Sequence, residues 1–427
     1  MSLPSVAQAP WFRDPRTRAV MAALEADDPG GSRFVGGCVR NTLLGAPVDD
    51  VDIATRLTPE AVMAAGKAAG LGVAPTGLAH GTVTLIADHR PFEVTTLRRD
   101  VETDGRHAVV AFTTDWAEDA ARRDFRCNAL YADASGAVFD PGGQGIADAR
   151  AGRVVFIGEA RERLREDHLR SLRFFRFHAW YGRGPLDAGG LTACAAEAAG
   201  LGQISVERVW KELSRLLAAN DPRLAMAGMA SSGVLARALP EAGPGPWPLF
   251  DALVELETDA FLPAQPLVRL ASLLAGPNVG EATSRARAVG ARLKLSTADR
   301  ERLVAALGDI PPIVSYLSPK TVRQRLYELG AETYCDRVRL GWAAATNPRQ
   351  TPQWRALLAF AEGYQRPRLP VSGREVRAAG VPDGPLMGAV LREVESWWVD
   401  HDFPDDPLAL LERLKAVAQA LVPPPRA

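Results

Sequence analysis

The chain changes its pattern at Gly158, and that change limits the folds open to it more than any other feature. From about Ser32 to Val155 short β-like runs alternate with helical stretches; beyond Gly158 long charged and apolar helical patterns take over, punctuated by Pro and Gly. Strand candidates are Val35, 51–54, 82–86, 92–95 and 129–131. Thr58-Pro59-Glu60 before Ala-rich sequence marks a helix start, and 159–180 is the clearest later helix. The expected fold is α+β: an α/β module, then an elongated helical part with breaks at 241–248 and around 365–370. A length of 427 residues calls for more than one core.

Bulk charge decides little here. A formal net charge of −1 excludes a generally polybasic nucleic-acid binder, so any such contact needs a local basic surface. Cys38, Cys127, Cys194 and Cys335 are far apart and form no C-x-x-C pair, which suits reduced thiols better than a disulfide framework. Residues 1–10 lack a basic segment followed by an apolar core, and no run is long enough to cross a bilayer. A soluble, cytoplasmic protein with no membrane attachment and no obligate protein partner is expected.

Within the first module, Gly36-Gly37-Cys38-Val39-Arg40-Asn41 is followed by Asp50-Val51-Asp52-Ile53. The glycines let the backbone approach a phosphate, and a following helix N-terminus favours anionic charge. On a strand over 51–54, Asp50 and Asp52 share a face, and paired hard oxygen ligands suit Mg²⁺ better than zinc. Glu93, on a second strand candidate, supplies a third carboxylate. An isolated D-x-D is more commonly a pair of solvated loop acids, and Glu93 alone an exposed strand residue; the glycine turn shifts the balance toward metal-assisted phosphate chemistry.

Two arginine-rich segments follow. In Arg122-Arg123-Asp124-Phe125-Arg126-Cys127-Asn128, Arg123 suits phosphate, while Asp124 and Asn128 either recognise ribose or hold the local turn. In Glu166-Asp167-His168-Leu169-Arg170, continuing to Arg173 and Arg176, a continuous helix would align Asp167 and the three arginines in a stripe. Such a stripe reads a base edge and holds phosphates, or it is a salt-bridged solvent face. Asp104-Gly105-Arg106 is an ordinary turn or a functional loop. Trp397-Trp398 suits helix packing better than base stacking, and the histidines form no metal cluster.

These motifs, in this order, closely resemble the class II tRNA nucleotidyltransferase and bacterial poly(A) polymerase superfamily. Residues 36–55 resemble its catalytic motif, 104–106 its flexible loop, 122–130 its ribose-selecting motif and 166–170 its E-D-x-x-R nucleotide-selecting pattern. Residues 205–213 are similar to its neck helix, and Ser372-Gly373-Arg374-Glu375 with 380–388 to the tail of CCA-adding enzymes.

The resemblance implies a polymerase-β-like nucleotidyltransferase head at 1–155, a helical neck at 156–225, a body at 226–367 and a tRNA-binding tail at 368–427. It implies Asp50, Asp52 and Glu93 as catalytic Mg²⁺ ligands. Gly36, Gly37, Arg40, Arg123, Asp124, Asn128, Asp167, Arg170, Arg173 and Arg176 become nucleotide contacts, and Asp104 and Arg106 flexible-loop residues. The implied activity is addition of CCA to the tRNA 3′ end from CTP and ATP. CC-adding, A-adding and poly(A)-forming relatives, and a noncatalytic RNA-binding regulator with a retained head, are the alternatives. Two departures stand out: Asn41 where the family usually has Asp, and Arg126-Cys127 in place of Thr-Ile. The first is expected to change local hydrogen bonding without loss of catalysis; the second leaves the ribose site open.

Overall fold

The computed structural model describes residues 4–104, 107–309, 311–345 and 350–421. They form two compact units, Met1–Pro246 and Trp247–Ala427, divided inside the 241–248 breaker.

Nine strands are described in the first unit: β1 (Ser32–Val35), β2 (Asp52–Thr55), β3 (Gly72–Gly77), β4 (Thr82–Ala87), β5 (Arg90–Thr96), β6 (Arg98–Asp104), β7 (His107–Phe112), β8 (Tyr131–Ala132) and β9 (Val138–Phe139). Seven make one sheet in the order β3-β4-β5-β2-β1-β8-β9, while β6 and β7 pair as a separate ribbon. Neighbours in the sheet are antiparallel except β2 and β5, which are parallel with Asp52 opposite Glu93. A parallel pair needs a crossover. Helix Pro59–Ala68 and the β3–β4 hairpin supply it, and the helix starts where the sequence indicated, with the Thr58 hydroxyl accepting from the Ala61 amide.

Five expected strands correspond to β1, β2, β4, β5 and β8, with two corrections. β2 begins at Asp52, so Asp50 lies in the loop before it and not on the strand. The 129–131 run enters its strand only at Tyr131, because a 3₁₀ turn at Arg126–Asn128 carries the chain up to it.

The helix expected over 159–180 is two helices. Five helices bear on the site: α1 (Gly37–Leu44), α2 (Trp116–Ala121), α3 (Ala160–Glu166), α4 (Leu169–Tyr181) and α5 (Val206–Leu217). Between α3 and α4, Asp167 is extended, with φ −153° and ψ 104°, and its Oδ1 accepts from the Leu169 amide at 3.1 Å. A short acidic side chain that satisfies the backbone locally competes with the helix and here ends it. The continuous Asp167 stripe is thus corrected: Arg170, Arg173 and Arg176 run along α4, and Asp167 stands at the break. Phe125, Phe156 and Phe174 lock α4 onto the chain that follows β5 in the sheet module, with Phe125–Phe156 and Phe156–Phe174 centroids 4.9 and 5.5 Å apart. α5 packs along α4 and buries a stripe of Val209, Leu213, Leu216 and Leu217.

The second unit is helical throughout its described residues. Its longest helix, Pro319–Ala344, is interrupted at Gly330, whose φ of 74° suits glycine. Val322, Leu326, Tyr334, Val338 and Trp342 pack with Trp354 in one core, and Val376, Val390, Val394, Trp398, Leu410 and Leu414 form another. Trp397 and Trp398 belong to helix Pro385–Asp400, where Trp398 is buried, as expected of a packing pair. All four cysteines are free. No helix among the described residues is long and apolar enough to cross a membrane.

Candidate active site

Sheet register builds the acidic edge. Opposed residues of a strand pair share a face, so Asp52 and Glu93 stand side by side. Asp52 is half-buried; burial pushes its carboxyl up to about 6, repulsion from Glu93 and Asp50 adds to the rise, and Arg123 opposes it. Asp50 and Glu93 are exposed. Among the described residues no three His, Cys, Asp or Glu side chains are gathered tightly enough to hold a metal ion as they stand. The chemistry of the donor set nevertheless fits a hard divalent cation: three carboxylates whose mutual repulsion a cation would relieve.

Beside this edge, the chain leaves β1 through Gly36, with φ 72° and ψ −118°, and enters α1 at Gly37. A side chain at Gly36 would be strained by that backbone and would point toward Arg123. The first amides of α1 offer unpaired donors.

A cleft of about 470 Å³ joins most of the expected residues, including Gly36, Gly37, Arg40, Asp52, Arg123, Asp124, Asn128, Asp167, Arg170, Arg173 and Arg176. Asp50 and Glu93 are not part of its lining. Asp104 ends β6, and Arg106 lies outside the described residues. Counting Arg122 and Arg208, seven arginines and three aspartates line the cleft, and Asp119, Glu166 and Glu212 pair with four of the arginines from outside it; so arginine-rich a lining suits a polyanion such as a triphosphate.

Several of these side chains already have partners. Arg40 is 5% exposed; its guanidinium lies over the Tyr181 ring at 3.9 Å and donates to Asn41 Oδ1 and Asn128 Oδ1. Asn41 in turn donates to the Pro47 carbonyl at 2.6 Å, a bond an Asp could not make. Asp124 Oδ1 accepts from Asn128 and the Phe125 amide, and Oδ2 from Arg173. Burial would raise its carboxyl, but Arg173 and Asn128 hold it down at about 2. Of the two roles open to Asp124 and Asn128, the geometry displays the turn-holding one. Arg176 is buried against Glu212 of α5.

At the α3–α4 break, Asp167 Oδ2 accepts from Arg208 of α5 at 2.8 Å, while Arg170 donates to Glu166 and to the Arg163 carbonyl. An acceptor and a donor thus stand together in the cleft, each held by a neighbour. In the sequence Arg208 is only one position of a neck-like helix, and Arg122 carries no signal beyond its place beside Arg123 and its spacing from Asp119.

Residues 32–155 match the model for the poly A polymerase head domain, and 190–244 match "Probable RNA and SrmB- binding site of polymerase A". The mitochondrial CCA tRNA nucleotidyltransferase 1 of Mus musculus is 32% identical over 96% of this chain and 92% of its own length. The chain belongs to the CCA tRNA nucleotidyltransferase family. Another member, the CCA-adding enzyme of Latilactobacillus sakei, is 29% identical over 94% of this chain and 98% of its own. The crystal structure of the Bacillus stearothermophilus CCA-adding enzyme in complex with CTP superposes with a TM-score of 0.74 at 27% identity, covering 95% of this chain and 98% of that one. The CCA tRNA nucleotidyltransferase family therefore accounts for both the sheet-bearing unit and the helical one.

Proposed function

We propose that this protein adds CCA to the 3′ end of tRNA from CTP and ATP, releasing pyrophosphate. The observation that carries the reading is one arginine-rich cleft with Asp52 in its lining and the Asp167–Arg170 pair in the same lining. Its relatives are named as CCA-adding enzymes, and one was solved with CTP.

The 3′-hydroxyl attacks the α-phosphate in line and pyrophosphate leaves. Asp50, Asp52 and Glu93 would hold Mg²⁺, which when bound lowers the hydroxyl's pKa and neutralises the leaving group. The α1 amides and Arg123 orient the triphosphate. Asp167 accepts from the exocyclic amine of cytosine or adenine, and Arg170 donates to the adjacent ring nitrogen; uracil and guanine present a carbonyl to the carboxylate and are rejected. Arg173 and Arg176 fix α4, through Asp124 and Glu212 respectively.

We assign 1–155 as head, 156–225 as neck, 226–367 as body and 368–427 as tail, with tRNA held largely by shape and phosphate contacts. A cytoplasmic setting suits four free thiols. Extension of tRNAs ending before C, after C and after CC, with each nucleotide supplied singly, tests the assignment. Addition of C, C and then A supports it; arrest after CC, A-only addition or long A tracts on unstructured RNA replaces it with one of the partial or poly(A) activities. No incorporation at all leaves the RNA-binding regulator.

A further inference from the structure

Asp119 occupies a place where a carboxylate is costly. It sits in the first turn of α2 and is 0% exposed, cut off from the water that would solvate its charge. Six donors surround it. Oδ1 accepts from Arg122 Nε and Nη2 at 2.8 and 2.6 Å and from the Arg98 amide at 3.4 Å. Oδ2 accepts from Arg123 Nε and Nη2 at 3.2 and 2.9 Å and from the Tyr131 hydroxyl at 2.7 Å. Tyr131 Oη also accepts from Arg123 Nε at 3.1 Å, closing a triangle. Burial pushes the carboxyl up, yet Arg123 and Arg122 hold it at about 2, so it is charged at any physiological pH.

The arrangement does more than satisfy a buried acid. Two guanidinium groups repel each other, and one carboxylate between them lets both stand in the same wall of the cleft. Each is gripped by its Nε–Nη2 edge, so each presents its remaining Nη1 edge elsewhere. Arg123 Nη1 lies 4.0 Å from where a Cβ on Gly36 would sit, beside the glycine turn and the α1 amides. The charge left over, two cations against one anion, is completed by an anionic ligand. Through the Arg98 amide the same carboxylate is tied to the base of the β6–β7 ribbon.

We propose that Asp119, together with Tyr131, is a positioning residue for nucleotidyl transfer, clamping Arg122 and Arg123 so that both guanidinium groups face the triphosphate of the incoming nucleotide. This rests on the nucleotidyltransferase reading above and adds Arg122 as a second phosphate contact. Asp119 itself touches no substrate.

The test uses the full chain and tRNA lacking CCA, with CTP varied. In Asp119→Asn the Oδ2 charge is gone and the arginines lose their common anchor. KM for CTP is expected to rise about tenfold or more, with kcat falling by a smaller factor and tRNA affinity kept within about twofold. In an Arg122→Ala/Arg123→Ala background, adding Asp119→Asn raises KM no further. An unchanged KM, or an Asp119→Asn effect that multiplies in full onto the double variant, overturns the clamp and leaves Asp119 a fold residue. Should Asp119→Asn not fold, Tyr131→Phe decides: the milder loss of one hydroxyl is expected to raise KM for CTP about threefold, and a wild-type KM overturns the proposal. Wild-type protein that adds nothing to tRNA removes the functional reading instead; wild-type addition with unmoved KM in the variants removes the clamp alone.

Discussion

Replacing Asp52 with Asn removes a proposed metal-binding carboxylate and also a folding liability, and the two effects have opposite signs. The Asp52 carboxyl is raised from its ordinary 3.8 to about 6 by burial, and then by Glu93 and Asp50. Below the unfolded value both states are protonated and the group contributes nothing against folding. Between 3.8 and about 6 the unfolded chain gives up its proton while the folded one retains it, so stability is lost as pH rises; above that window the loss is constant. Two units at about 1.4 kcal/mol each set an upper bound of about 3 kcal/mol, which local relaxation reduces to roughly 1–3 kcal/mol. Asp52→Asn, measured in EDTA, is therefore expected to be more stable than wild type by that amount at pH 8 and equal to it near pH 4. Thermal melts across pH 4–8 read the difference, at roughly 2–4 °C per kcal/mol for a unit of this size. Added Mg²⁺ should raise the wild-type melting point and leave the variant unmoved, while incorporation by the variant is abolished and its tRNA binding kept. A variant less stable than wild type at pH 8, or a difference independent of pH, refutes the reasoning.

Other outcomes follow from the cleft. Arg170→Ala is expected to lower discrimination of CTP and ATP against UTP and GTP by about tenfold or more in single-nucleotide incorporation, since it removes the donor proposed for the ring nitrogen. Arg173→Met leaves the buried Asp124 carboxylate without its cation and should cost about 3 kcal/mol in urea unfolding; Asp124→Asn/Arg173→Met should lose clearly less than the two single changes summed. A Cβ at Gly200 would fall 2.1–2.3 Å from the His168 ring atoms, so Gly200→Ala is expected to shift the α3–α4 break, costing about 1–3 kcal/mol and raising misincorporation.

Much of the site was legible because its chemistry is local. The glycine turn, the Thr58 helix start and five of the strands stand in short runs whose residue types speak for themselves. The errors lie where a side chain competes with its own backbone: Asp167 looks like one more helical position until its carboxylate takes the Leu169 amide and ends the helix. Long-range pairing was also out of reach. That Arg176 would be filled by Glu212 and Asp167 by Arg208 depends on α5 packing along α4, and that Asp124 would be filled by Arg173 depends on α4 docking against the segment after α2; no local pattern states either. The small strands β3 and β9 and the β6–β7 ribbon carry too little apolar alternation to announce themselves.

The parallel pairing of β2 with β5 has a consequence for how the molecule comes together. A hairpin forms between near neighbours, but Asp52 meets Glu93 only after the intervening helix and the β3–β4 hairpin have closed a loop of some forty residues. The mutual repulsion of these acids therefore falls on a contact of high sequence separation, which the rest of the sheet has to hold in place. The same geometry makes the contact intolerant of slippage. A shift of β5 by one residue would turn Glu93 to the opposite side of the sheet and set Val94 beside Asp52, so an insertion within the strand is far more damaging than one in the crossover.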